Sequence, residues 1–259
     1  MEGSIFVRIM RKDSIFARIM RNRVIEDGNV SEVPVLISNG IDLKGCDRDG
    51  LTALHWTVQK GDVDIARILL DSQTNDVNCS DFEGHTVLHL ACLVGHLDMV
   101  DFLLERGANV DAVDDDGWTP IFSAITEDYL EIVSVLIKHD CNVNVIDEKG
   151  YSPLHCAVKL NNIDVVRELL KSKTIDVNLT DERFGKNTAL HLAAQNGYKD
   201  IAEYLIKNEV KLDALNEDNE TPLQVAMKKG YTAIGNLISQ AVLEKKRQLF
   251  HKENIDKAT

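Results

Sequence analysis

The chain has 259 residues, 44% of them hydrophobic, and a formal net charge of −13. The charge is uneven, because residues 25–240 hold 18 basic and 37 acidic residues whereas both ends are net basic. An acidic body of this kind repels nucleic acid and anionic membrane surfaces and attracts basic protein surfaces. The composition therefore predicts a protein partner with a basic surface, and no nucleic-acid partner.

The five cysteines are an odd number, and no two of them have the C-x-x-C spacing of a metal site. This pattern favours free thiols in a reducing compartment. The apolar runs are shorter than the roughly 18 residues that span a bilayer, and there is no secretory h-region. We therefore expect a cytoplasmic protein without a membrane span, with the nucleus as an alternative because of the short basic string "EKKR" from Glu244.

The first element in chain order is a duplication, "SIFVRIMRKD" followed at once by "SIFARIMRNR". Ten residues rotate a helix by about 1,000°, so the apolar faces of the two copies only partly coincide. Three interpretations remain open. The segment extends the first helix of the array that follows, it contacts a membrane or acts as a targeting signal, or the duplication has no role.

A repeat of 33 to 35 residues follows the duplication, as in "DRDGLTALHWTVQKG" and "DFEGHTVLHLACLVG". In each repeat a Gly suits a turn with positive φ, and the next Thr or Ser can cap a short apolar helix. Gly or Asn ends that helix, and a second helix with apolar residues at helical spacing follows. One such helix pair cannot bury its apolar face alone, so the repeats are predicted to stack as a solenoid.

The pattern "DGxTxLHxA…G…LL…GANV" resembles the ankyrin repeat over residues 14–240. The repeats start near residues 14, 47, 81, 114, 147, 181 and 216, with an N-terminal extension (1–13) and a C-terminal helical tail (241–259). The resemblance implies an all-α fold of helix-turn-helix pairs with β-hairpin loops, in a curved stack with a concave binding face. It implies no catalytic chemistry and no cofactor.

Four histidines, His55, His89, His155 and His191, share one slot of the repeat. Stacked helices lie about 10 Å apart, which is too far for one metal ion with ligands at about 2 Å. We therefore expect no metal site, and the resemblance implies that each histidine bonds the hairpin backbone. Phe122 fills this slot in the Asp114 repeat, which should lose that bond. No Ser–His–acid arrangement or phosphate-binding glycine loop stands out, so we predict a non-enzymatic protein.

In the ankyrin family, the residues that flank the repeat Gly and precede the helix-ending Gly line the concave face. Carried over, these positions form a partner-binding set: Phe82, His85, Leu93, Val94, Asp115, Asp116, Trp118, Glu127, Tyr151, Lys159 and Leu160. The aromatic members Phe82, Trp118 and Tyr151, flanked by acidic residues, resemble an interface hot spot and predict a partly apolar partner. The alternative is that Trp118 and Tyr151 pack against neighbouring hairpins.

Taken together, these patterns predict a monomeric interaction scaffold that binds another protein on its concave face. The strings "TALHW" (Thr52–Trp56) and "TPLQVA" (Thr221–Ala226) are also similar to gankyrin-type proteasome assembly chaperones. An alternative of another class is a small-ligand sensor that stacks a nucleobase on Trp118 and Tyr151.

Three asparagines, Asn78, Asn144 and Asn178, occupy equivalent positions in "DVN" or "NVN" strings, each eight residues after a Leu. In the ankyrin family such asparagines are substrates of an asparaginyl hydroxylase. The resemblance therefore implies that this chain can be hydroxylated there.

Overall fold

The computed structural model describes residues 30–38, 45–72, 76–181, 183 and 185–256. The duplicated segment, and with it the expected first helix of the array, lies outside these residues. The described chain forms two compact units, one ending at Cys141 and the other beginning at Asn142. Among the described residues thirteen segments are helical, and the extended structure consists of isolated bridges such as Ser80 with Thr86. The prediction of an all-α repeat fold is confirmed.

The first unit is a stack of helix pairs. Within it, the first helix of each repeat packs against the second helix of the same repeat and against the first helix of the next one. The helices of this unit are α1 (Glu32–Ser38), α2 (Ala53–Lys60), α3 (Val63–Asp71), α4 (Val87–Val94), α5 (Leu97–Glu105), α6 (Pro120–Thr126) and α7 (Leu130–Lys138). Its core is mainly aliphatic, with Leu54, Leu88, Leu103 and Leu136 fully buried.

The second unit repeats this arrangement and ends in a longer helix. α10 packs against both α8 and α12, and the last helix packs against α11 and α12. The helices are α8 (Pro153–Lys159), α9 (Ile163–Leu169), α10 (Ala189–Asn196), α11 (Lys199–Lys207), α12 (Pro222–Lys228) and α13 (Thr232–Asp256). The last helix continues past residue 240, as the sequence predicts for the C-terminal tail. Over the described residues, no helix combines the length and the hydropathy that a membrane crossing requires.

The first helices of most repeats begin and end as the sequence predicts, and α6 is an exception. In α4 the Thr86 hydroxyl accepts the N–H of His89 in a capping box, and Pro120, Pro153 and Pro222 are each the first residue of a helix. Gly95 ends α4 in the left-handed region, with φ of 81°. At the equivalent place after α6, Asp128 has φ of 62°, which is unfavourable for a residue with a Cβ atom.

All five cysteines are free, as predicted. Burial raises the pKa of Cys79 to about 11 and the pKa values of Cys141 and Cys156 to about 12. These thiols therefore stay protonated at neutral pH and are poor nucleophiles.

Candidate partner-binding surfaces

The loops that precede the first helices of the first unit are joined by backbone hydrogen bonds. Phe82 N donates to Asp49 O at 3.1 Å, and Asp115 N donates to Glu83 O at 3.0 Å. Inside each loop the repeat aspartate accepts two backbone N–H groups; Asp81, for example, holds Glu83 N at 2.9 Å and His85 N at 2.8 Å. The loops are thus fixed both internally and to one another, which limits the conformational entropy that they lose on binding.

Phe82 is the most exposed aromatic side chain of these loops, with 67% of its surface accessible. Its ring and backbone lie against Gly50, where an added Cβ atom would come within 2.8 Å of Phe82 Cδ1. A side chain at position 50 would therefore displace Phe82. The backbone there also has a positive φ of 86°, which favours glycine. Gly50 therefore serves as the base on which an exposed aromatic ring is held.

Exposed acidic residues occupy the same loop as Phe82 and the loops bonded to it. We call Asp49, Phe82, Glu83, Asp115 and Asp116 the loop-tip surface; its four carboxylates and its phenyl ring are exposed. The backbone hydrogen bonds join residue 49 to 82 and residue 83 to 115, so these acidic residues belong to the same loop as Phe82 or to a loop bonded to it. Such a surface favours a cationic partner group, which can meet both the carboxylates and the face of the ring.

His85 lies beside this surface within reach of three carboxylates. Its Nδ1 atom is 3.2 Å from Asp81 Oδ2 and 3.8 Å from Glu83 Oε2, and its Nε2 atom is 3.5 Å from Asp114 Oδ2. The hydrogen bond to Asp81 raises the pKa of His85, against the lowering effect of partial burial. When protonated, His85 bridges the loops of the Asp81 and Asp114 repeats.

Trp118 is half-buried and packs inward. Its ring is stacked on that of Phe122, with a centroid distance of 5.9 Å.

The other first-unit members of the predicted set differ in exposure: Leu93 and Val94 at the end of α4 are half-buried, whereas Glu127 after α6 is exposed. In the first unit the exposed members of the set are therefore Phe82, Asp115, Asp116 and Glu127.

In the second unit Tyr151 is buried, with only 8% of its surface accessible. The Lys159 ammonium lies 3.7 Å from the centre of the Tyr151 ring, and the ring of His155 lies beside it. The expectation of a solvent-exposed ring is therefore wrong for Tyr151, because a basic side chain of the adjoining helix covers it. Leu160 and Lys159 are exposed.

The four repeat histidines are structural, as predicted. In His89 the Nδ1 atom accepts the Thr86 N–H at 3.1 Å, and Nε2 donates to Trp118 O at 3.1 Å. His155 and His191 make the same bonds within the second unit, to Asn187 O and Glu220 O. Burial lowers the pKa of all four, and that of His55 falls to about 4, so they are neutral at physiological pH.

The Asp114 repeat lacks this arrangement because the side chain of Phe122 has no nitrogen atom to make these bonds. Thr119, the residue that would bond the missing histidine, has a buried hydroxyl group without a hydrogen-bond partner. It also makes no side-chain cap for α6. The substitution in the sequence therefore leaves one orphaned polar group in the core of the first unit.

The three asparagines connect successive hairpins within each unit. Asn78 Oδ1 accepts Asn109 N at 2.7 Å, and Asn178 Oδ1 accepts Lys211 N at 2.7 Å. Asn144 makes two such bonds, from Nδ2 to Thr174 O at 2.7 Å and from Asp176 N to Oδ1 at 2.8 Å.

The predicted partner-binding set omitted Asp49 and Gly50. Asp49 is in a concave-face position of its repeat, but that repeat is more polar at these positions and has no aromatic residue among them. These two residues could have been found from the stacking of the repeats, because each loop lies next to the loop of the following repeat. Within the described part of the chain, no group of three histidine, cysteine or acidic side chains is arranged to hold a metal ion.

Several known proteins are similar to this chain in sequence. A palmitoyltransferase ZDHHC17 of Danio rerio is 37% identical over 212 residues, 80% of this chain and 33% of that protein. A 26S proteasome non-ATPase regulatory subunit 10 of Dictyostelium discoideum is 38% identical over 86 residues, 33% of this chain and 37% of that protein. The chain thus spans well under half the length of these relatives.

Among solved structures, the ankyrin repeat domain of Bcl-3 matches with a TM-score of 0.76 at 23% identity, over 88% of this chain and 98% of that one. The ankyrin repeat protein EF0377 matches with a TM-score of 0.67 at 26% identity, over 72% and 96%. A family profile described as ankyrin repeats in three copies matches residues 22–114, 107–181 and 176–247. Ankyrin repeats are generally protein-protein interaction modules, and this chain belongs to the ankyrin-repeat family.

Proposed function

We propose that this chain is a non-enzymatic scaffold that binds a partner protein through the loop tips and adjoining helix faces, the positions that line the concave face in its family. The observation that carries the proposal is Phe82, an exposed ring held over Gly50. An exposed aromatic side chain costs solubility and adds little to the stack. Interface hot spots are typically aromatic residues of this kind, surrounded by polar groups.

The partner surface is basic and partly apolar. The loop-tip surface carries four exposed carboxylates and one exposed ring, and residues 25–240 have 37 acidic against 18 basic residues. An arginine or lysine of the partner would stack on Phe82 while its charge meets Asp49, Glu83 or Asp115. The same field would speed the encounter with a basic protein.

The test compares Phe82→Ala with a matched exposed residue. The partner is isolated by co-purification with the tagged full chain and identified by mass spectrometry, and its binding is then measured by surface plasmon resonance. Phe82→Ala should weaken binding by about 2 kcal/mol, chiefly through faster dissociation. Leu215→Ala removes another exposed apolar side chain, from the second unit, and should have little effect.

The charges are tested separately. Asp115→Asn combined with Asp116→Asn should slow association and flatten its dependence on salt, since exposed charges act mainly by steering. The proposal fails if Phe82→Ala and the double variant both bind the partner as the wild type does.

A second candidate function is a gankyrin-like role in assembling the proteasome ATPases. The similarity to the proteasome regulatory subunit supports it, although only over a third of this chain. Co-purification separates the candidates, because a proteasomal ATPase would be recovered as the main partner. The nucleotide-sensor alternative has less support, since Tyr151 is covered by Lys159 and Trp118 is stacked on Phe122.

A further inference from the structure

The last helix of the second unit, α13, carries a second candidate surface. Its first part is packed, with Ile234 and Ile238 buried. From Leu243 to His251 every side chain is exposed. At 1.5 Å per residue, the part beyond Ala241 continues for about 22 Å.

This exposed part has an apolar face. Leu243 and Leu249 are each 57% accessible, and Phe250 is 67% accessible. Together with Val242 and Lys246 they occupy positions i, i+1, i+4, i+7 and i+8, which lie on one side of a helix. We call Val242, Leu243, Lys246, Leu249 and Phe250 the tail stripe. A helix with such a face is stabilised mainly by burying it against another surface.

The position of Lys246 limits what can cover the stripe. At 100° per residue, Lys246 lies at the centre of an arc of about 120° whose edges are Leu249 and Leu243. Lys245 and Arg247 lie about 100° to either side, so they flank the stripe. The central ammonium must be buried with the apolar residues around it, and it therefore needs a carboxylate partner.

A lipid surface does not satisfy this requirement. A helix that lies on a membrane buries the centre of its apolar face, where lipid chains offer no counter-ion to Lys246. The acidic body of the chain would also be repelled by anionic headgroups. A protein groove can supply both the apolar walls and the carboxylate.

We propose that the tail stripe docks as a helix into an apolar groove of a partner protein, with a carboxylate on the groove floor opposite Lys246 and acidic residues on the rims facing Lys245 and Arg247. The tail stripe shares no residue with the loop-tip surface. The Phe82→Ala variant should therefore keep tail-stripe binding, so failure of one proposal is distinguishable from failure of the other.

The test places a photoreactive benzoylphenylalanine in the full chain, at Phe250 on the stripe or at Gln248 on the opposite side as a control. After irradiation in cell extract, adducts are mapped by peptide mass spectrometry. We expect an adduct from position 250 whose partner peptide lines an apolar groove that contains an aspartate or glutamate. Leu249→Asp should abolish it, whereas Gln248→Asp, with the same charge on the other side, should not.

Charge exchange then tests the role of Lys246. With the purified partner, Lys246→Glu should lower the adduct yield by about tenfold, as for a close interfacial charge pair. Replacing the partner's floor carboxylate with lysine should restore the yield for Lys246→Glu only. A restored adduct yield would support the proposal, and a yield that does not depend on residue 246 would overturn it.

Other occupants give different results. An adduct of twice the chain mass would assign the stripe to a second copy. Co-sedimentation of the wild type with phosphatidylserine–phosphatidylcholine vesicles that persists in Lys246→Met would assign it to a membrane. Either result overturns the proposal, as does an adduct yield at position 250 no higher than at position 248.

Discussion

The ring of Trp118 lies against that of Phe122, with the ring centroids 5.9 Å apart and the ring planes 27° apart. Phe122 is fully buried in the slot that holds histidine in four other repeats. The two unusual residues of the Asp114 repeat, Trp118 and Phe122, therefore form one aromatic pair. An aromatic pair replaces a histidine that would bond the Thr119 hydroxyl.

This contact predicts that Trp118→Ala destabilises the first unit. The variant loses the stacked pair and part of the cover of Phe122, at a cost of about 1–3 kcal/mol in the free energy of unfolding. Urea denaturation followed by circular dichroism would measure it. Phe82→Ala is the control, since its ring is exposed and its removal should change stability by less than about 0.5 kcal/mol.

Partner binding by the same variant shows whether Trp118 has a second role. A loss of about 2 kcal/mol in affinity would make it a hot spot as well. Unchanged stability together with weaker binding would contradict the packing that we describe.

The fold was predictable because each repeat carries the same local signals. Asp, Gly, Thr and the helix-ending Gly determine the loop, the cap and the left-handed end of the helix within about fifteen residues, so no long-range information is needed. Exposure was harder to predict. Trp118 and Tyr151 share one repeat position, yet one stacks on Phe122 and the other lies under Lys159. Whether a ring is covered depends on the side chains that pack around it, which a repeat pattern does not contain.

The orphaned hydroxyl of Thr119 leads to a second prediction. Thr119→Val replaces a buried, unpartnered hydroxyl with a methyl group of the same shape and should stabilise the chain by about 1 kcal/mol. Thr86→Val is the matched variant, because the Thr86 hydroxyl caps α4 and bonds His89 at 2.9 Å. It should cost about 1–2 kcal/mol. Thermal denaturation of both variants would show opposite shifts, and shifts of the same sign would contradict the assignment.

The Asp114 repeat should also open more readily than its neighbours. It lacks the histidine bonds, it contains an orphaned hydroxyl, and Asp128 has a positive φ that costs about 1 kcal/mol. Hydrogen exchange followed by mass spectrometry should show faster exchange of helical amides in α6 and α7 than in the helices of the repeats on both sides. Exchange there slower than in the repeats on both sides would refute this prediction.

The hairpin asparagines remain predicted hydroxylation sites. In the folded protein each accepts a backbone N–H of the next hairpin, so an enzyme that binds the segment in extended form must first break that bond. We expect intact-mass analysis of protein co-expressed with an asparaginyl hydroxylase to show added oxygen atoms. An unshifted mass would contradict the prediction that these asparagines are hydroxylated. Because Asn144 makes two bonds, it should be modified more slowly than Asn178.

The histidines determine how stability depends on pH. For His55 the pKa is about 4 in the folded chain, below its ordinary value of 6.5, because burial disfavours the charged ring. Its contribution to stability is therefore complete above pH 6.5 and is lost as the pH falls towards 4, by up to about 3 kcal/mol. His89, His155 and His191 act in the same direction. The raised pKa of His85 acts oppositely, since its contribution is present below pH 6.5 and is lost as the pH rises through that pKa.

The chain itself offers the variant that tests this. In the last repeat Gln224 occupies the histidine slot, and its Oε1 atom accepts the Thr221 N–H at 2.8 Å. Glutamine can thus replace the capping role of the imidazole without titrating. His55→Gln should keep most of the stability at pH 7 and lose less of it than the wild type between pH 6.5 and 4, because one fewer buried group takes up a proton on unfolding. Urea denaturation across this pH range measures both. If the two chains lose stability in parallel, His55 is not a group whose protonation opposes folding.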